Sequence, residues 1–82
     1  MKATVLVRPK GGILDPQGEA VERSLRQLGF AVGDARVGRV IDLEVDAPSA
    51  AEARVQVERM CERLLANPLI ESYEIELQEQ GA

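Results

Sequence analysis

Histidine and tryptophan are absent from this 82-residue chain, and tyrosine, phenylalanine and cysteine each occur once. Without histidine, the chain lacks the side chain that most often serves as a general base or as a nitrogen ligand for a metal ion. One cysteine cannot form an internal disulfide. So few aromatic side chains leave an aliphatic core and little on which a nucleobase would stack. We therefore predict no catalytic residue and no metal site in this chain.

Clustered positive charge is also missing. The sequence has 14 acidic against 10 basic residues, a net charge of −4, whereas nucleic acids and anionic membrane surfaces are bound by clusters of Lys and Arg. No apolar run approaches the ~18 residues of a membrane-spanning helix, and Met1 and Lys2 lead into a strand rather than into the core of a signal peptide. We expect a cytoplasmic, reduced protein with no nucleic-acid and no membrane partner.

The length of the chain limits its core. Residues 1–82 are read as a single domain, and a domain of this size buries only about 60–65% of the surface of its unfolded chain. A hydrophobic content of 45% still excludes general disorder. A second copy or another partner would supply the apolar contacts that so small a core lacks.

The first third of the chain predicts a strand, a glycine-containing loop and a helix. Residues 2–8 are largely apolar and β-branched, which predicts a central strand buried over much of both faces. Apolar positions then recur at helical spacing over residues 16–28. Asp15 is suited to the N-cap and Pro16 to the first helical position, while Gly29 is suited to the position just after the helix.

Residues 32–45 are compatible either with a hairpin that turns near Gly38 or with one long strand. The alternating apolar side chains stay on one face through this glycine, which favours a single strand bent there; they are Val37, Ile41, Leu43 and Val45. The acids on the opposite side of its second half are typical of a solvent-exposed face.

The second half predicts one more helix and one more strand. Ser49 and Glu52 form a capping box, and the helix then carries an apolar stripe of Ala53, Val57, Met60, Cys61, Leu64 and Leu65. The helix must end before Pro68, and residues 70–77 alternate as a strand. The βαβαβ order, with a long bent middle strand, predicts an α+β two-layer sandwich in which a mainly antiparallel sheet carries both helices on one face.

Two local features are candidates for chemistry. Cys61 lies in the apolar stripe of the second helix, where a small buried residue is expected and no neighbour in the sequence stabilises a thiolate. Arg8 and Lys10 precede the N-terminus of the first helix, a position that favours anions, but the Asp15 carboxylate already occupies it. The residues alone therefore indicate a binding or assembly module without naming its partner.

Four segments along the chain resemble the PurS family, the small subunit of three-component phosphoribosylformylglycinamidine synthase. They are VLVRPKGGILDPQGEAV from Val5, LRQLGF from Leu25, ARVGRVIDLEV from Ala35 and MCERLLANPLIESYEIEL from Met60. The motifs LDPQG and LLANP, at this separation, are the most specific part of the resemblance, which extends over most of the chain.

The resemblance implies a non-catalytic assembly subunit in de novo purine biosynthesis. Such a subunit would bridge a glutaminase subunit and a synthetase subunit that uses ATP and magnesium, and would support ammonia transfer between them. The chain itself would hold no cofactor and would form a homo-oligomer, either a dimer or a dimer of dimers. The candidate subunit-contact residues are Arg8, Lys10, Asp15 and Asn67, and the resemblance carries no catalytic residue to any position.

A second hypothesis is a free-standing regulatory domain that binds a small ligand as a dimer. Arg8, Lys10 and Arg39 would then clamp an anionic group of that ligand. An enzyme in its own right is a third hypothesis, which the absence of histidine and of an activated nucleophile disfavours.

Overall fold

A computed structural model describes residues 1–12 and 15–78. Its elements are β1 (Lys2–Pro9), α1 (Pro16–Gln27), β2 (Arg39–Glu44), α2 (Ala50–Met60), a π-helical turn (Cys61–Leu65) and β3 (Glu71–Gln78). Part of the predicted loop between β1 and α1, residues 13 and 14, lies outside the described residues. The predicted α+β class and the antiparallel sheet are confirmed. In residues 1–12 and 15–78, no helix has the length and apolar character that a membrane crossing requires.

β1 is the central strand of the sheet, as predicted. The strand order is β2-β1-β3, both pairs are antiparallel, and Val5 lies opposite Ile41 on one side and Ile75 on the other. The side chains of Ala3, Val5 and Val7 are buried, because successive strand residues point to opposite faces and these three face α2. The other face of β1 is only partly covered, so the expectation that both faces are buried was wrong for that side.

α2 covers the inner face of the sheet. The Ser49 hydroxyl accepts a hydrogen bond from the Glu52 N–H at 3.2 Å, which confirms the predicted cap, and Ala53, Val57 and Cys61 are buried. The Ala66 N–H then donates to the Cys61 carbonyl at 3.0 Å, an i→i+5 bond that widens the last turn. This wide turn rotates its residues relative to the apolar stripe of α2. Leu64 is 83% exposed, although the sequence predicts that Leu64 is buried.

α1 is bounded as predicted but packs differently. Asp15 is its N-cap, and its C-terminus closes with bonds from the Gly29 N–H to Arg26 and from the Phe30 N–H to Leu25, with Gly29 at a φ of 96°. This is the Schellman arrangement, which glycine favours because it has no Cβ. Among the described residues, however, α1 makes only marginal contact with the sheet and with α2. α2 is therefore the helix that covers the inner face, and the expectation of two helices packed there was wrong for α1.

The middle strand is shorter than predicted. Regular pairing begins at Arg39, and residues 31–38 form an irregular segment rather than the first half of a long bent strand. Side chains bind the backbone of this segment: Arg26 donates to the carbonyls of Val32 and Gly33, at 2.9 and 3.4 Å, and Asp15 accepts from the Val37 N–H at 3.0 Å. Backbone groups satisfied in this way have no need of a strand partner.

Candidate subunit-contact site

Lys10 joins the end of β1 to the turn that precedes β3. Its backbone N–H donates to the Ile70 carbonyl at 2.9 Å, and its ammonium donates to the Pro68 carbonyl at 2.6 Å. Lys10 is exposed, so the ammonium keeps further donors available to a partner. Lys10 and the turn that follows the LLANP motif, which are far apart in sequence, therefore share one surface.

Asn67 organises that turn. Its side-chain oxygen accepts from the Leu69 N–H at 3.2 Å, and its carbonyl accepts from the N–H groups of Ile70 and Glu71 at 3.1 and 2.7 Å. Asparagine commonly bonds its own backbone two residues on and so stabilises tight turns. The turn leaves Leu69 83% exposed and the adjacent Ile70 43% exposed, so two neighbouring apolar side chains lie on the surface near Lys10.

Asp15 connects α1 to the irregular segment before β2. Its two carboxylate oxygens accept from the Gly18 N–H and the Val37 N–H, each at 3.0 Å. These bonds, first that from Val37 and then that from Gly18, hold the pKa of the Asp15 carboxyl below its ordinary value, because they stabilise the ionised form. The Asp15 carboxylate is thus committed within the chain, which agrees with its predicted role as a cap.

Arg36 brings the same segment to the end of β1. Its guanidinium donates to the carbonyls of Pro9 and Lys10 at 3.4 and 3.2 Å and lies 3.8 Å from the Asp34 carboxylate. The structure therefore brings Lys10 and Asn67 to one turn directly and links Asp15 to them through the segment that contains Arg36. The sequence does not reveal this role of Arg36, because nothing in the local pattern shows that it reaches a residue 26 positions away.

An ion pair between Arg39 on β2 and Glu71 on β3 connects the two edge strands of the sheet. The Arg39 guanidinium donates to both Glu71 carboxylate oxygens, at 2.8 and 3.1 Å, and to the Leu65 carbonyl at 2.6 Å. Glu71 also accepts from the Asn67 N–H at 2.8 Å. The Arg39 bond, and after it the Asn67 bond, lowers the pKa of the Glu71 carboxyl. Arg39 thereby ties the C-terminus of the π-helical turn to the start of β3, a role that the sequence did not reveal.

Arg8 lies apart from this group. It alternates with Val7 on β1 and so points to the open face of the sheet, where its guanidinium is 3.8 Å from the Glu74 carboxylate. The three cations of the ligand hypothesis are therefore held by different partners: Arg8 by Glu74, Lys10 by Pro68 and Arg39 by Glu71. They do not converge on one anion site. The contact roles of Arg8, Lys10, Asp15 and Asn67 stay predictions.

The remaining candidate for chemistry is the thiol of Cys61. It is buried in the core, and burial, followed by the charges of Glu58 and Glu62, raises its pKa. A raised pKa disfavours the thiolate, which is the nucleophilic form. Across the two described ranges, no three His, Cys, Asp or Glu side chains are grouped so that they would hold a metal ion. The described arrangement consists of caps, turns and ion pairs suited to presenting a surface.

Comparison with known proteins decides the family. The family profile described as PurS, phosphoribosylformylglycinamidine (FGAM) synthase, matches residues 2–79. The chain belongs to the PurS family. It is 38% identical over 78 residues to the FGAM synthase subunit PurS of Methanocaldococcus jannaschii, with 94% of each chain covered. It is 40% identical over 79 residues to that of Bacillus subtilis, with 95% of this chain and 93% of the relative covered.

Solved PurS structures have the same fold. The crystal structure of M. jannaschii PurS, one of the subunits of formylglycinamide ribonucleotide amidotransferase in the purine biosynthetic pathway, superposes with a TM-score of 0.85 at 37% identity and covers 98% of each chain. A chain of the Thermotoga maritima PurLQS structure gives a TM-score of 0.84 at 39% identity, covering 92% of this chain and 93% of that one. These matches confirm the resemblance inferred from the four segments and the predicted α+β fold. PurS is the FGAM synthase subunit of purine biosynthesis, which confirms the predicted function at that level.

Proposed function

We propose that this chain is the non-catalytic assembly subunit of phosphoribosylformylglycinamidine synthase. It bridges the glutaminase subunit and the synthetase subunit, which uses ATP and magnesium, and it supports ammonia transfer between them. The observation that carries the proposal is the match, over nine-tenths of both chains, to a chain of the T. maritima PurLQS structure. We further propose that the chain acts as a homo-oligomer, a dimer or a dimer of dimers.

The described site supports a bridging role rather than a catalytic one. Its charged groups are bonded to carbonyls or to one another, as in the Arg39–Glu71 pair, and the Cys61 thiol is buried. What the site presents outward is the Lys10 ammonium and the exposed Leu69 side chain beside it. An exposed cation beside exposed apolar side chains is a surface that a partner protein can bind.

The decisive experiment compares two nitrogen sources. FGAM formation is measured with the cognate glutaminase and synthetase subunits, with and without this protein, from glutamine and then from an ammonium salt. We expect glutamine-driven synthesis to require this chain and ammonia-driven synthesis to proceed without it. Equal rates without the chain from both sources would overturn the bridging assignment, and binding of purine intermediates to the isolated protein would then be measured.

The predicted contact role of Lys10 is tested in the same assay. We expect Lys10→Ala to lower glutamine-driven synthesis several-fold while ammonia-driven synthesis is unchanged, because the ammonium that faces a partner is lost. Arg54→Ala is the matched control, since Arg54 is an exposed cation on α2 outside this site. Equal activity of the Lys10→Ala variant and the wild type at limiting concentrations of this subunit would show that Lys10 only stabilises the turn.

A further inference from the structure

A small cleft lies on the open face of the sheet, where the end of β1 meets the segment before β2. It has a volume of about 240 Å³, and its lining includes Leu6, Arg8, Arg36, Gly38 and Val40. Leu6 lies opposite Val40 in the register of β1 and β2, and Arg8 follows Leu6 by two residues, so all three lie on the same face. The cleft therefore combines two arginine side chains with two apolar ones.

Close backbone packing brings Arg36 to this cleft and fixes it there. A Cβ at Gly38 would overlap the Val7 carbonyl oxygen, so glycine allows the segment that contains Arg36 to approach β1 this closely. The Arg36 guanidinium then donates through Nη1 to the carbonyls of Pro9 and Lys10, at 3.4 and 3.2 Å. Because a guanidinium has five N–H donors, the Nε and Nη2 donors of Arg36 remain for a ligand.

The acids beside these two arginines do not occupy their donors. Arg8 Nη1 lies 3.8 Å from the Glu74 carboxylate, and Arg36 Nε lies 3.8 Å from the Asp34 carboxylate, which is beyond hydrogen-bond distance. Within residues 1–12 and 15–78, Arg8 has no closer acidic partner. Arg39, the third arginine beside the cleft, is by contrast held in short hydrogen bonds. Arg8 and Arg36 are thus the loosely held cations, and both line the same cleft.

The chemistry of the cleft suits a small oxyanion with two negative charges. The planar guanidinium of arginine binds phosphate and carboxylate oxygens through paired N–H groups. A phosphate group carries close to two negative charges at neutral pH, which matches two cations better than the single charge of a carboxylate. The cleft is smaller than the roughly 300 Å³ of the smallest pockets that enclose a whole drug-sized ligand. It therefore has room for a phosphate group but not for an entire nucleotide.

We propose that Arg8 and Arg36 bind the phosphate group of a small molecule in this cleft. The sequence-based ligand hypothesis combined Arg8 with Lys10 and Arg39, which the fold directs to other partners. Arg36 instead shares the cleft with Arg8, although the two residues are distant in sequence. The phosphate site involves no partner subunit, so it goes beyond the proposed assembly function.

The test titrates the isolated full chain with inorganic phosphate at neutral pH and constant ionic strength, followed by ¹H–¹⁵N NMR. We expect saturable shifts of the Nε–H signals of Arg8 and Arg36 in the millimolar range, and much weaker shifts with acetate. Arg8→Gln and Arg36→Gln should each weaken phosphate binding about tenfold, because each removes hydrogen bonds to a charged group. Arg54→Gln is the control, since Arg54 is an exposed cation on α2 and should leave binding unchanged.

Removal of the neighbouring acids should have the opposite effect. The Glu74 and Asp34 side chains are 67% and 75% exposed beside the two arginines, where their charges compete with a bound anion. We expect Glu74→Gln and Asp34→Asn each to strengthen phosphate binding several-fold. Asp46→Asn removes the same charge from an exposed position after β2 and should have little effect, so it controls for net charge.

Four outcomes would overturn the phosphate site. They are the absence of saturable shifts at the two arginines, acetate binding as strong as phosphate binding, full phosphate binding by both glutamine variants, and equal strengthening by Asp46→Asn. Circular dichroism confirms that the variants fold, and Arg8→Gln breaks no short bond within the described residues. The glutamine and ammonia assay tests the bridging function separately, so failure of one proposal is distinct from failure of the other.

Discussion

At the scale of single residues, Asp15 has more bonds than an ordinary helix cap. Its carboxylate accepts from the Gly18 N–H within its helix and from the Val37 N–H of a distant segment. Ser49, the cap of α2, accepts one side-chain bond, from the Glu52 N–H. Asp15 therefore contributes to tertiary structure as well as to the start of a helix.

Removal of the Asp15 carboxylate should accordingly lower the stability of the fold more than removal of the Ser49 hydroxyl. Loss of an N-cap such as Ser49→Ala costs about 1 kcal/mol. We expect Asp15→Ala to lower the thermal midpoint by several degrees more than Ser49→Ala, and Asp15→Asn, which keeps one acceptor oxygen, to lie between Asp15→Ala and the wild type. If Asp15→Asn left the midpoint unchanged but abolished glutamine-driven synthesis, Asp15 would contact a partner subunit, as the sequence-based prediction states.

Asp15 and Glu71 also predict how stability depends on pH. Their hydrogen bonds lower both carboxyl pKa values in the folded state. Their contribution to stability is therefore complete above the ordinary carboxyl range near pH 4 and is lost as pH falls through the lowered folded values. We expect the free energy of unfolding to decrease below about pH 4, and the decrease to be shallower in the Asp15→Asn, Glu71→Gln double variant. The free energy of unfolding is measured by urea titration at each pH. If it decreases equally steeply with falling pH in both proteins, this assignment is wrong.

At the scale of elements, two junctions determine where α1 and β3 lie. Gly18 is buried where α1 approaches the irregular segment, and a Cβ at this position would overlap the Ala35 carbonyl oxygen. At the other junction, Arg39 connects the π-helical turn with β3 through Leu65 and Glu71. Both contacts join segments that are distant in sequence.

Gly18→Ala tests the first junction. Alanine normally stabilises a helix interior relative to glycine, but here the overlap with backbone should reverse the sign and destabilise the protein by about 1–3 kcal/mol. Gly11→Ala is the control, because a Cβ at Gly11 has no atom within 4 Å, and its effect should stay within about 0.5 kcal/mol. A Gly18→Ala variant more stable than the wild type would show that α1 does not pack against residue 35.

Arg39→Lys tests the second junction. An ammonium cannot reproduce the planar fork that binds both Glu71 oxygens and the Leu65 carbonyl. Because the ion pair is partly solvated, we expect the free energy of unfolding to fall by about 1 kcal/mol. Arg54→Lys, on the exposed face of α2, should be neutral. The measurement is chemical denaturation of both variants, and identical midpoints would contradict a structural role for the Arg39 fork.

At the scale of the whole molecule, the chain is thin and extended, with Cα extents of 50 × 30 × 14 Å, and many of its large apolar side chains are exposed. The buried core is formed by β1, the residue after β2, α2 and the π-helical turn, and consists of small and β-branched side chains such as Ala53 and Val57. No residue of α1 other than Gly18 is buried among those described. Stability of this fold should therefore depend on association.

Thermal unfolding offers a direct check of that dependence. Because a dimer dissociates when it unfolds, mass action should raise the thermal midpoint with protein concentration. We expect a rise of several degrees over a hundredfold range of wild-type concentration, and a weaker dependence for Leu28→Glu, because Leu28 is 74% exposed on the apolar face of α1. The same dependence in both proteins would place the dimer contact somewhere other than α1.

The features that could be predicted from the sequence are those that short-range chemistry controls. Helix bounds follow from Asp15, Ser49 and Gly29, whose cap bonds lie within a few residues, and strand alternation follows from a period of two. The four family segments also identified PurS, because they occur together and in order. These features need no knowledge of what lies across the molecule.

The partners that satisfy the backbone groups and cover the apolar stripes depend on long-range contacts, which appear only in the folded chain. Residues 32–38 are predicted as the first half of a long strand, yet Arg26 and Asp15 bond to backbone groups of this segment, which lies outside the sheet. The stripe of α1 has the same helical period as that of α2, but periodicity shows that a face is apolar and not what covers it. The covering surface is set by distant contacts such as that of Gly18 with Ala35, which no local pattern of residues encodes.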